Sequence, residues 1–176
     1  MKKIICFLIL SLTFLSFGFS QSAGQHEIKW YTLEDALKLT NITPKKIYLD
    51  VYTDWCGWCK RMDATTFKDP CVVELMNKYY YPVRFNAEIK DTLHYKDTAF
   101  TFNKSIRAND LASYFLGGKM SYPTSVYLTE TGDLIQPIAG YQEADVLQII
   151  LSYIGKNMQK TITWEDYKKT YKSACN

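Results

Sequence analysis

Two cysteines separated only by Gly57 and Trp58 constrain this chain more than any other feature of it. At this spacing Cys56 and Cys59 close a small disulfide loop when the first lies at a helix N-terminus and the second one turn in. Unpaired N–H groups and the positive end of the helix dipole then favour a thiolate at Cys56. A stabilised thiolate is both nucleophile and leaving group, which is redox chemistry. The flanks fit: residues 47–52 alternate bulky apolar side chains like a buried strand interrupted by Asp50, and a helix from about residue 59 carries the second cysteine.

Half of a zinc site is a competing reading of C-x-x-C. A tetrahedral site needs four ligands, usually through a second C-x-x-C or a Cys/His pair. The other candidates, Cys71, Cys175, His26 and His94, are isolated in the sequence, so no metal is expected. Covalent haem attachment needs a histidine after the second cysteine, where the chain has Lys60. Redox chemistry is the favoured reading, with zinc and an inert structural disulfide left as the weaker ones.

At 176 residues and 47% hydrophobic composition, the chain suits one domain with a substantial core. Residues 1–20 read as a signal peptide: Lys2 and Lys3, an apolar run over 4–17, then Gly18, Phe19 and Ser20 before a cleavage expected ahead of Gln21. A retained anchor is the alternative. Without Lys2 and Lys3 the formal charge of +3 falls to +1, so neither nucleic-acid nor membrane-surface affinity is expected; once the leader is cleaved, no stable membrane insertion is expected either. Cys6 leaves with the leader. Cys71 and Cys175, spare thiols in an oxidising compartment, are a candidate structural disulfide, two free thiols being the alternative.

Along the mature chain, 21–27 is a flexible leader and 28–31 an expected short strand. Thr32 and Asp35 start a helix in capping-box fashion, and Asp69-Pro70 starts another with an apolar face at Val72, Val73, Leu75 and Met76. A strand is expected at 83–87, a hairpin over 91–103 around Lys96-Asp97, and a helix at 111–116 ended by Gly117-Gly118. Strands at 124–128 and 134–138 flank a Thr131-Gly132-Asp133 turn. Helices follow at 143–157 and, capped by Thr163, through Trp164, Tyr167 and Tyr171.

The segments I-Y-L-D-V-Y-T-D-W-C-G-W-C-K at 47–60, R-F-N at 84–86, Y-P-T at 122–124 and the T-G-D turn with Gly140 beyond it resemble the thioredoxin superfamily over most of 28–157. Among its members the chain is most similar to exported thioredoxin-like proteins of Gram-negative bacteria. The resemblance implies an α/β thioredoxin fold, a central mixed β-sheet flanked by helices. To this a domain spanning 28–176 would add a hairpin insertion at about 89–120 and a C-terminal helical extension at about 158–176.

The resemblance also implies roles. Cys56 is the attacking thiolate and Cys59 the resolving thiol of a redox-active disulfide. Asp50 is the buried carboxylate that assists deprotonation of Cys59; burial in an apolar strand independently raises such a pKa towards neutrality. Trp55, Gly57, Trp58, Tyr122 and a cis Pro123 form the substrate groove, with the main chain beside Pro123 open to strand addition. Arg84 falls where the family keeps a lysine near the carboxylate, and equally fits a solvated strand residue. Trp58 departs from the family's usual residue between the cysteines.

The implied function is thiol–disulfide exchange with exported protein substrates, reducing or isomerising, in the periplasm or secreted, with no cofactor and with a membrane electron donor as partner. The alternative is a redox-inactive peptide-binding module in which the 56–59 bridge is structural.

Overall fold

Short-range chemistry starts most elements of the computed structural model, which describes residues 27–173 and Cys175. Thr32 caps α1 (Leu33–Thr40): its Oγ1 accepts from the Asp35 N–H at 3.1 Å and donates to the Asp35 carboxylate at 2.8 Å, pairing a donor that the first turn leaves open. β1 (Lys46–Tyr52) leads to the cysteine pair, and α2 (Gly57–Ala64) follows. Asp69 caps α3 (Pro70–Tyr79) by accepting from the Cys71 and Val72 N–H groups. Pro70 suits the first turn because its missing N–H would be unpaired there.

α3 runs directly into β2 (Tyr80–Asn86). β3 (Leu93–Tyr95) and β4 (Thr98–Phe100) form one antiparallel hairpin, and β5 (Phe102–Asn103) pairs with β6 (Ala108–Asn109). α4 (Asp110–Phe115), β7 (Thr124–Leu128), β8 (Leu134–Ala139), α5 (Ala144–Gly155) and α6 (Trp164–Thr170) complete the order.

The main sheet runs β2-β1-β7-β8, with β1 parallel to β2 and antiparallel to β7, and β7 antiparallel to β8. Strand alternation sends Ile47, Leu49 and Val51 to one face, where they pack with Ala36 of α1 and Leu111, Ala112 and Phe115 of α4. Tyr48 points to the other face, among Met62 of α2, Val72, Leu75 and Met76 of α3, and Leu147, Leu151 and Ile154 of α5. Full burial of each large apolar side chain contributes about 1.5–3 kcal/mol, so the two clusters fix the sheet between its helical layers. This is the expected thioredoxin-like fold, including the hairpin insertion and the C-terminal helix.

The insertion is tied to the sheet at one end: the Tyr95 hydroxyl donates to the Gly132 carbonyl, and Lys96 pairs with Asp133. Gly132 takes φ +78 in the β7–β8 turn, and a Cβ there would stand 2.8 Å from Leu37 Cδ2, so the turn needs glycine.

Several expectations need correction. Residues 28–31 are not a strand; Tyr31 makes a single parallel bridge to Val83, with its N–H on the Pro82 carbonyl. α2 begins at Gly57, two residues before the expected start, because Cys56 itself is the cap. β2 begins at Tyr80 rather than 83. Pro82 is accommodated because β2 is an edge strand, where a missing N–H costs the ladder least. Tyr171 lies just past the end of α6. The expected signal peptide with Cys6, the leader up to residue 26 and His26 lie outside the described residues.

Candidate active site

β1 delivers the chain to Cys56 through a turn in which the Cys56 N–H donates to the Thr53 carbonyl at 3.1 Å. Cys56 is extended and becomes the N-cap of α2, and its Sγ accepts from the Cys59 N–H at 3.0 Å. Cys59, one turn in, is bonded to it as a disulfide. Sulfur thus occupies the position that a capping oxygen usually holds, where the helix's free N–H groups and dipole favour negative charge. Both cysteines are nearly buried, 4% and 3% exposed, between the exposed Trp55 and Trp58. Gly57 offers an open surface, with nothing within 4 Å of where a Cβ would stand.

Asp50 sits in the middle of β1, its Cα between those of Arg84 on β2 and Ser125 on β7. Alternation places its side chain on the Tyr48 face, the face that α2 covers. It is 2% exposed. Burial, opposed by the charge of Arg84 and reinforced by that of Asp63, raises its pKa to about 7. Arg84 Nε lies 3.2 Å from Asp50 Oδ2. The approach is close enough for attraction, but the N–H is not aimed for a hydrogen bond, and Nε has no hydrogen-bond partner. The guanidinium's other nitrogens clasp both oxygens of Asp63 instead. Its Cζ stands over the Tyr52 ring at 4.6 Å and the Trp30 ring at 5.2 Å from their centroids. Arg84 is therefore not a solvated strand residue.

Asp63 joins this network because it stands four residues after Cys59, on the same face of α2. Asp50, Arg84 and Asp63 are thus linked between the strands and α2, and Cys59 lies one turn before Asp63 on the same helix. A cleft of about 240 Å³, lined by Trp30, Asp63, Phe67 and Arg84 among others, reaches the Arg84–Asp63 pair from the surface.

The two tryptophans diverge. Trp55 packs edge-on to Tyr122 at 5.8 Å, and its Nε1–H donates to Glu88 Oε1 at 3.0 Å. Trp58 lies against Tyr141 at 5.4 Å, with the Arg61 guanidinium 5.7 Å from both rings. The Tyr122–Pro123 peptide is cis and Pro123 is buried. Gly140 N–H occupies the Pro123 carbonyl, whereas the Tyr122 main chain has no partner among the described residues.

Sequence reasoning missed Asp63, Glu88 and Tyr141. Only Asp63 carried a usable signal, its i+4 spacing from Cys59. Cys71, in the first turn of α3, forms a disulfide with Cys175, 104 residues on. His94 is exposed on β3, and among the described residues no three His, Cys, Asp or Glu side chains could hold a metal. No helix among them is long and apolar enough to cross a membrane.

Residues 33–155 match a family described as the thioredoxin-like domain. No curated protein matches the chain. Among solved structures, a thioredoxin-fold protein from Helicobacter pylori is 15% identical with a TM-score of 0.55, the match covering 72% of this chain and 83% of that one. A proposed disulphide-isomerase from Bacteroides thetaiotaomicron is 21% identical with a TM-score of 0.52, covering 74% and 94%. DsbH oxidoreductase is 14% identical with a TM-score of 0.51, covering 94% and 96%. At these identities the likeness is one of fold.

Proposed function

This chain belongs to the thioredoxin-like domain family, and from that premise we propose that it is a thiol–disulfide oxidoreductase acting on exported proteins in the reducing or isomerising direction. The observation that carries the reading is the cap: the Cys59 N–H on Cys56 Sγ at the start of α2. Once the bridge is reduced, this donor and the helix N-terminus favour the thiolate at Cys56 rather than Cys59.

Cys56 then attacks a client disulfide. One client sulfur becomes bonded to Cys56, and the other leaves as a thiolate that takes up a proton. Asp50, part ionised near neutral pH, accepts the Cys59 proton. Cys59 attacks Cys56 Sγ, re-forms the bridge and expels the remaining client sulfur. In sum two electrons and two protons pass to the client. If another client thiol displaces Cys56 first, the disulfide is moved instead of removed. The unpaired main chain of Tyr122 supports an extended client lying alongside as an added strand.

The direction rests on weak thiolate stabilisation. Gly57 brings only its backbone, Trp58 is turned onto Tyr141, and an ionised Asp50 beneath the helix opposes a second negative charge. We place the protein outside the cytoplasm, released by its leader and recharged by a membrane electron donor. Equilibration with glutathione tests direction, and a potential like that of strong periplasmic oxidants refutes it.

In Cys59→Ser the mixed disulfide cannot be resolved, so clients should stay bonded to Cys56 and be identified by mass spectrometry. Capture no greater than by Cys56→Ser, Cys59→Ser refutes the reading. The near-burial of both sulfurs favours the second reading, a peptide-binding module with a structural bridge, which the same result would support.

A further inference from the structure

Beside Trp55 and Tyr122 the insertion builds a groove. One hollow of about 440 Å³ has Trp55, Tyr122, Met120 and Ile106 as its apolar lining, with Glu88 and Arg107 at its side. A second, of about 430 Å³, shares Glu88 and Arg107 and continues to Phe102, Lys90 and Lys104. The trough therefore starts at an aromatic flank of the cysteine pair and runs out to β5 and the turn that follows it.

Its charge is one-sided. Lys90, Lys104 and Arg107 are exposed, and none makes an ion pair among the described residues. Lys38, Lys46 and Lys96 each hold a carboxylate, while Lys60, Lys78 and Lys119 are as unpaired among the described residues as these three; what sets Lys90, Lys104 and Arg107 apart is that they line one hollow together. The lone acid, Glu88, already accepts from Trp55. An apolar floor near the sulfur and three unmatched cations farther out fit a peptide with a matching order of residues.

We propose that the groove selects clients in which the reactive cysteine is followed or preceded by an apolar residue and then by an acidic run. The apolar side chain rests on Met120, Ile106 and Tyr122, and the carboxylates face Lys90, Lys104 and Arg107. This deepens the oxidoreductase reading and rests on it. Exposed pairs are individually weak, about two- to fivefold each. Two or three together give about a tenfold preference for acidic over basic clients at low salt, expressed mostly in the rate of encounter.

The test is single-turnover reduction of synthetic peptides, each with one cysteine capped as a 2-pyridyl disulfide and a leucine beside it. Glutamates, glutamines or lysines follow on either the N- or C-terminal side. The full protein is reduced with dithiothreitol and desalted. Each turnover converts the peptide disulfide and the Cys56, Cys59 dithiol into peptide thiol, 2-thiopyridone and the 56–59 disulfide. The readout is the ratio of acidic to basic peptide rates within one protein, which a general loss of activity leaves alone. We expect a ratio of about ten at low ionic strength, shrinking when salt shortens the Debye length to about 3 Å. It should fall to one or below in Lys90→Glu, Lys104→Glu, Arg107→Gln. Equal rates for all peptides, or a preference unchanged in that variant, overturn the groove while leaving thiol exchange standing. If neither the peptides nor a small aromatic disulfide is reduced, the oxidoreductase reading falls and the groove with it.

Discussion

Asp50→Asn keeps the shape of the buried group and removes its titration, so its effect is a function of pH rather than a single number. In the native protein burial, countered in part by Arg84, holds the Asp50 pKa at about 7 against an ordinary 3.8. Below 3.8 the acid is neutral in both folded and unfolded chains, and the neutral form's contribution is fully present. As the pH rises, the unfolded carboxyl ionises first and stability is lost, until above 7 the folded carboxyl ionises too and the loss levels off. At 1.36 kcal/mol per pH unit the full span is about 4 kcal/mol, of which about 3 kcal/mol falls between pH 4.5 and 8. Urea unfolding of the oxidised protein, native and Asp50→Asn side by side, reads this directly. The native protein should lose about 3 kcal/mol relative to the variant across that range. An unpaired Asn amide costs the variant the same at every pH and cancels from the difference. A difference that stays flat would mean that Asp50 is ionised throughout, and it would remove the proton acceptor from the mechanism. In the same variant the resolving step should slow and lose its inflexion near pH 7.

Asp63→Asn removes a charge that raises the Asp50 pKa, so the inflexion for mixed-disulfide resolution should move to lower pH; Arg84→Gln should move it higher. Stopped-flow resolution rates across pH 5–9 measure both shifts, and a merely structural pair would leave the inflexion in place. Cys175→Ser opens a cross-link between residues 104 apart and should cost roughly 4 kcal/mol in urea unfolding, with client trapping by Cys59→Ser retained. A loss below about 1 kcal/mol would mean that the bridge closes little of the unfolded chain's freedom.

What the chain determines by itself is whatever depends on neighbours a few residues away. The caps at Thr32, Asp69-Pro70 and Thr163 are local hydrogen bonds, and the helices start at them. The C-x-x-C spacing brings two sulfurs within one turn, and alternation along 47–52 makes a strand with two buried faces. Together with the ordered motifs these made the fold, the disulfide and the buried carboxylate legible. The start of α2 was misplaced because Ser, Thr, Asp and Asn are the usual cap signals, and here sulfur does their work.

Partners set by packing across the chain were not legible. Residues 28–31 have strand-like side chains but meet the sheet's edge only at Tyr31, and without a ladder there is no strand. Arg84 is equally a solvated cation or a charge partner until β2 lies beside β1 and α2 brings Asp63 over it. Glu88 reaches Trp55 across 33 residues. The Cys71–Cys175 bridge was legible only as a candidate, from two spare thiols in an oxidising compartment; the packing of the C-terminal segment on α3 decides it over two free thiols. The groove assembles Trp55, Tyr122 and three cations from separate segments. Spacing cannot encode such meetings, because they depend on how the two hydrophobic layers close on the sheet, and that closure is a property of the whole chain.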